Sequence, residues 1–98
     1  MKMRYIETFH EGNHISDIYL CKTKQIQLTK TGKEYGNLIL QDKTGTIEAK
    51  IWDLSSPGVG EFDAMDYVHI EADVTLFQNA NQLNVRRIRR AQEGEYVE

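Results

Sequence analysis

The chain has one cysteine, one proline, one tryptophan and three histidines in 98 residues, and its apolar runs are only a few residues long. The lone Cys21 excludes an internal disulfide and a cysteine-rich zinc site, and it suits a reducing, cytoplasmic setting. Cys21 is expected as a buried strand residue rather than a reactive thiol. Without a long apolar run no transmembrane helix is expected. The opening MKMRYIETFHEGNH lacks the apolar stretch of a secretory signal. His10, His14 and His69 are dispersed without metal-site spacing, and no His-Asp dipeptide occurs. There is no nucleophile with a base and no carboxylate pair with a pocket signature, and the GVG at 58–60 is too short to cradle phosphate. A binding module without a cofactor or metal of its own is therefore expected, not an enzyme.

What is present is a single-domain composition, 40% apolar and 28% charged, with a formal net charge of -3. The charges are segregated. Residues 61–80 carry Glu61, Asp63, Asp66, Glu71 and Asp73 and no Lys or Arg, whereas Lys22, Lys24, Lys30 and Lys33 share an early segment and Arg86, Arg87, Arg89 and Arg90 a late one. Were the fold to join the two basic segments, a basic stripe would form on an acidic protein. The bland alternative is scattered, solvated charge.

Alternating apolar and polar residues give a nearly all-strand pattern. Residues 15–28 are long enough to bend midway, and TKTGKE (29–34) is a loop. GNLILQD (36–42), the tight turn DKTG and GTIEAKIWDL (45–54) form a hairpin. After it, Ser56 and Pro57 favour a helix start that Gly58 and Gly60 weaken, so one short helical turn at most is expected. YVHIEADVTLF (67–77) alternates with Val68, Ile70, Ala72, Val74 and Leu76 on one face. QNANQ (78–82) is a polar turn before the last strand LNVRRI (83–88), where Arg87 breaks the alternation and suggests a bulge. Five short strands without long helices are well served by closure into a barrel, which removes exposed edges.

This order, with GKEYGNLILQDKTGTIEAKIWD as its most specific stretch, resembles the oligonucleotide- and oligosaccharide-binding (OB) fold, a five-stranded all-β Greek-key barrel. More narrowly, LILQDKTGTIEAKIWD followed by LNVRRIRRAQEGE is similar to the N-terminal OB domain of YhaM-type 3'-to-5' exoribonucleases. The resemblance implies an N-terminal extension over 1–13, the barrel over 14–90 and an acidic tail or linker over 91–98. It also implies a cytoplasmic parent in which a downstream HD domain holds the divalent metal and the catalysis. This sequence stops just after the barrel, so an excised or stand-alone module is expected.

In OB domains the outer faces of strands 2 and 3 hold single-stranded nucleic acid. With Leu38 and Leu40 inward, the alternation turns Asn37, Ile39 and Gln41 out, and across the hairpin Glu48, Lys50 and Trp52. Trp52 then stands where a base can stack, as resemblance to replication protein A domains also implies; the alternative, a ring folded over the barrel rim, stays open. Tyr35 is a further candidate contact, and Phe77 is either a second platform or a plug in the barrel base. Gln82, Asn84 and Arg86 adjoin the groove if Leu83 and Val85 point inward. Lys24, Lys30, Lys33 and Lys50 are expected phosphate contacts, and Glu48 sits awkwardly among them unless it pairs with a cation or accepts from a base. The partner expected is single-stranded RNA or DNA, RNA being favoured by the resemblance, with no membrane partner and oligomerisation open. The competing function is a protein-interaction or oligomerisation module using Ile39 and Trp52.

Overall fold

The computed structural model describes residues 5–92. Five strands, β1 (His14–Leu28), β2 (Glu34–Asp42), β3 (Gly45–Ile51), β4 (Tyr67–Phe77) and β5 (Ala80–Arg90), close into a barrel in the order β1-β2-β3-β5-β4. All neighbours are antiparallel except β3 and β5, which pair in parallel over Glu48–Lys50 and Gln82–Asn84.

β1 serves two partners. Its first half, His14 to Leu20, pairs with β4, and its second, Leu20 to Leu28, pairs with β2. The register slips between Cys21 and Thr23, leaving Lys22 as a bulged residue. An extra residue bends a strand and exchanges its faces. Hence Ile15, Tyr19 and Cys21 are buried before the bulge, whereas Lys24, Ile26 and Leu28 share the inward side after it, opposite Leu38, Gly36 and Glu34. A second slip in β5 places Glu71 opposite Arg87 and Ala72 opposite Val85, so Arg86 is the bulged residue, one position before the expected break. Both Arg86 and Arg87 are exposed in consequence.

Alternation fills the core: Leu38 and Leu40 of β2, Ile47, Ala49 and Ile51 of β3, Val68, Ile70, Ala72 and Val74 of β4, and Leu83, Val85 and Ile88 of β5 are all buried. Leu76, expected inward, is half exposed because β4 there runs past the barrel into the hairpin tip. That tip needs only Gln78 and Asn79, both at positive φ, and residues 80–82 already belong to β5. Two left-handed central residues match the twist of the flanking strands, as in a type I′ hairpin.

Among the described residues the sole helical segment is a single 3-10 turn, Ile6–Thr8, not the turn expected near Ser56. It lies upstream of β1 and delivers Ile6 and Phe9 to the core, where Phe9 meets Tyr19 edge-on at 5.9 Å. Asp42 fastens it, accepting from the Ile6 amide at 2.8 Å while its other oxygen holds the β2–β3 turn through Thr44. The β3–β4 connection instead runs extended against β5: Ile88 donates to the Gly58 carbonyl and accepts from the Gly60 amide. A Cβ on Gly58 would stand 2.9 Å from Arg87 Cγ, so the glycines that oppose helix here permit close approach.

Candidate nucleic-acid interface

The hairpin β2–β3 contains no bulge, so its faces follow the sequence. Asn37 stands opposite Lys50, Ile39 opposite Glu48 and Gln41 opposite Thr46, all on the outer face. Tyr35 and Trp52 extend the same row. Their ring centroids are 5.0 Å apart with planes inclined at 31°, and Trp52 remains 46% exposed. The indole is thus outside the core and half exposed, with Tyr35 lying against it on one side. Tyr35 is itself fixed, its hydroxyl donating to Gln27 Oε1 at 2.7 Å and its ring lying 5.4 Å from Lys50 Nζ.

The β3–β5 pairing adds Gln82 beside Glu48 and Asn84 beside Lys50. Glu48 is resolved by its partners: Oε1 accepts from Gln82 Nε2 at 2.5 Å and lies 3.8 Å from Lys50 Nζ, which also donates to Asn37 Oδ1 at 3.1 Å. Lys50 is therefore largely an internal counterion, with only 14% of its side chain exposed. Along β4 the outward positions lead to Phe77, which is 55% exposed and paired with Ala80. Phe77 does not plug the base of the barrel, where Ile6 and Phe9 stand instead. Because β3 and β5 run parallel, Trp52 and Phe77 mark opposite ends of the face, about 20 Å apart along the strands.

The remaining candidates divide. Lys30 and Lys33 are exposed on the β1–β2 loop, which is closed by the Thr29 amide donating to the Lys33 carbonyl. Lys33 is near enough to Asp53, the residue after Trp52, to help lower its carboxyl pKa, although Ser55 hydrogen bonds do most of that. Lys24 is on the other side: the bulge turns it inward, its ammonium donates to the Phe62 carbonyl at 2.7 Å and covers the Phe62 ring. Arg86 is exposed but its Nε is held by Asp73, whose other oxygen contacts His14 Nδ1 at 3.0 Å. Hydrogen bonds from His14 and then Arg86 keep the Asp73 carboxyl below its ordinary range. Arg90 is similarly held by Asp66 and Asp63. The expected basic stripe is thus broken up: Arg86 and Arg90 are paired with aspartates, Lys24 is turned onto Phe62, and Lys30 and Lys33 stand exposed on the β1–β2 loop.

Gln25 and Gln27 were not among the candidates, yet pairing with Asn37 and Tyr35 puts both on the outer face, linked at 3.2 Å. The alternation in KQIQL was the available signal, but its phase depends on the bulge at Lys22. Cys21 is buried, and desolvation raises its thiol pKa to about 11, leaving it protonated and unreactive. Among the described residues no three His, Cys, Asp or Glu side chains gather as a metal site.

No protein-family model matches the chain. It is similar to the 3'-5' exoribonuclease YhaM of Bacillus velezensis, 36% identical over 89 residues, which covers 90% of this chain and 28% of that protein. The YhaM of Listeria monocytogenes is 31% identical over 91 residues, 93% of this chain and 29% of that protein. The chain therefore spans under a third of the length of these relatives, and the matching part is a small barrel, as suits a non-catalytic portion. Among solved structures, the second OB-fold domain of replication protein A from Methanococcus maripaludis superposes with a TM-score of 0.65 at 17% identity, covering 97% of this chain and 98% of that one. A replication protein A heterotrimer bound to ssDNA gives 0.63 at 19% identity, covering 90% and 64%. These likenesses establish the OB fold.

Proposed function

We propose that this OB-fold domain, similar to part of the YhaM exoribonucleases, binds single-stranded RNA across the face between Trp52 and Phe77 and presents it to a catalytic domain of a longer 3'-5' exoribonuclease. The observation that carries this is the half-exposed Trp52, backed by Tyr35 and placed beyond the amides of the outer face. An aromatic platform contributes about 1 to 3 kcal/mol per stacked base without regard to base identity. The likeness to replication protein A domains supports the fold's capacity for single strands, and the YhaM relatives favour RNA. Any divalent metal would belong to the catalytic portion, and a cytoplasmic setting follows from that role.

The test is a fluorescence titration. Trp52 is the sole tryptophan, so a single-stranded oligoribonucleotide should quench or shift its emission saturably, at micromolar or weaker affinity, while a duplex should not. An unchanged spectrum up to millimolar oligonucleotide refutes the proposal. A protein-interaction role has one observation in its favour: Ile26 and Leu28, exposed on the inward side of the β1–β2 overhang. Sedimentation decides it, since a tight dimer that excludes oligonucleotide would favour that role.

A further inference from the structure

The outer face is poor in free cation and rich in amides. Gln25, Asn37, Gln41, Gln82 and Asn84 all stand on it, and its lysine, Lys50, is spent on Asn37 and Glu48. A surface built mainly to grip phosphate does not place a carboxylate at its centre. Glu48 occupies that centre, between Ile39 and Gln82 in the β2-β3-β5 register, with 42% of its side chain exposed. It is also oriented, since both of its contacts fall on Oε1, leaving Oε2 without a protein donor among the described residues.

We infer that Glu48 reads the edge of an unpaired base and gives this face a preference for guanine. The inference rests on the nucleic-acid function proposed above and adds base selectivity to it. A carboxylate only accepts hydrogen bonds. Guanine is the one common base with two adjacent donors on its Watson–Crick edge, N1–H and the N2 amine, and these match the two oxygens of a carboxylate as a guanidinium fork does. Adenine and cytosine offer one amine each, and uracil sets two carbonyl oxygens around a single N–H. Lys50, 3.8 Å from Oε1, offsets the repulsion between this carboxylate and the neighbouring phosphates. Asn37, whose Oδ1 is taken by Lys50, has its amide N–H groups left to donate to a base carbonyl. Trp52 follows the end of β3, four residues after Glu48 and about 13 Å from it if the chain stays extended, so the stacked base and the edge-read base are different nucleotides.

The experiment uses fluorescein-labelled heptauridylate and seven variants, each with a single guanine, followed by anisotropy at fixed ionic strength. Guanine at one register should tighten binding about fivefold or more, the scale of one good bidentate base contact. Inosine at that register, which lacks the N2 amine, should lose most of the gain. Glu48→Gln should abolish the preference, so that the variant binds each guanine-containing oligonucleotide no more tightly than it binds heptauridylate. Equal affinity for all seven variants and heptauridylate overturns this inference and leaves the single-strand function standing. A guanine preference that survives inosine replacement or Glu48→Gln also overturns it. Absence of binding by every oligonucleotide overturns the underlying function as well. The inosine arm changes the ligand alone, so a folding defect in the variant cannot mask the outcome.

Discussion

Replacing Trp52 by alanine should weaken single-strand binding far more than it weakens the fold. A stacked base is worth about 1 to 3 kcal/mol. Tyr35 stays behind in Trp52→Ala, held by Gln27 and Lys50, and preserves part of a platform. The loss should therefore fall in the lower part of the range, about 1 to 2 kcal/mol, or about 5- to 30-fold in Kd. Stability is affected by a separate amount. The indole is about half buried, so about 100 Å² of apolar contact is removed, worth at most about 2.5 kcal/mol. Binding must accordingly be measured well below the variant's own Tm. The variant has lost the intrinsic fluorophore, so a labelled oligoribonucleotide and anisotropy replace tryptophan emission, with a thermal melt to verify folding. Trp52→Phe keeps a ring in place and should recover most of the affinity. A folded Trp52→Ala protein binding within twofold of the parent would refute the stacking role.

Salt should matter less than for a basic single-strand binder. With few free cations near the face, the slope of log K against log salt should stay near -0.7 per phosphate contacted, and Lys33→Ala should make it shallower by about one such step if Lys33 touches phosphate. Phe9→Ala should cost about 3 to 5 kcal/mol in a denaturant melt, because Phe9 is buried against Tyr19; a loss under 1 kcal/mol would mean the segment before β1 is not part of the core. Asp73 has a depressed folded pKa, so its contribution is present above its unfolded pKa and disappears as pH falls through the folded value. Stability should thus drop on acidification below the ordinary aspartate range, and Asp73→Asn should flatten part of that acid limb. An unchanged limb in the variant would show the His14–Asp73–Arg86 cluster to be energetically neutral.

The parts of this molecule that were legible from sequence are those where alternation runs unbroken. β2 and β3 keep strict phase from Tyr35 to Trp52, which is why the turn, the inward leucines and the outer row that holds the indole could be deduced, although the ring's exposure could not. Lys24 was misplaced for the converse reason: a bulge at Lys22 reverses the phase of everything after it. The same reversal hid Gln25 and Gln27. In β5 two consecutive arginines announced a bulge, because two adjacent charged side chains cannot alternate into a core, but they did not say which one is extra. Gly58 and Gly60 argued correctly against helix without revealing that β5 needed their missing side chains. Ile6 and Phe9 lie in a stretch too short to show periodicity, so their burial depends on tertiary contacts with Asp42 and Tyr19.

The pairing of arginines with aspartates changes where binding energy on this face would come from. Arg86 and Arg90 each meet a carboxylate whose pKa they help depress, so their charge is locally cancelled and contributes little long-range attraction. What is left to hold a strand is ring stacking, amide hydrogen bonds and the exposed lysines of the β1–β2 loop. Such contacts are individually modest and let a strand dissociate readily. In a longer enzyme that is an advantage, because a tethered module is already at millimolar effective concentration relative to a strand held elsewhere. A substrate that must advance as its end is removed is better served by many weak, renewable contacts than by a tight electrostatic grip. The amides and paired charges of this barrel are therefore compatible with the proposed role, which does not depend on a free basic stripe.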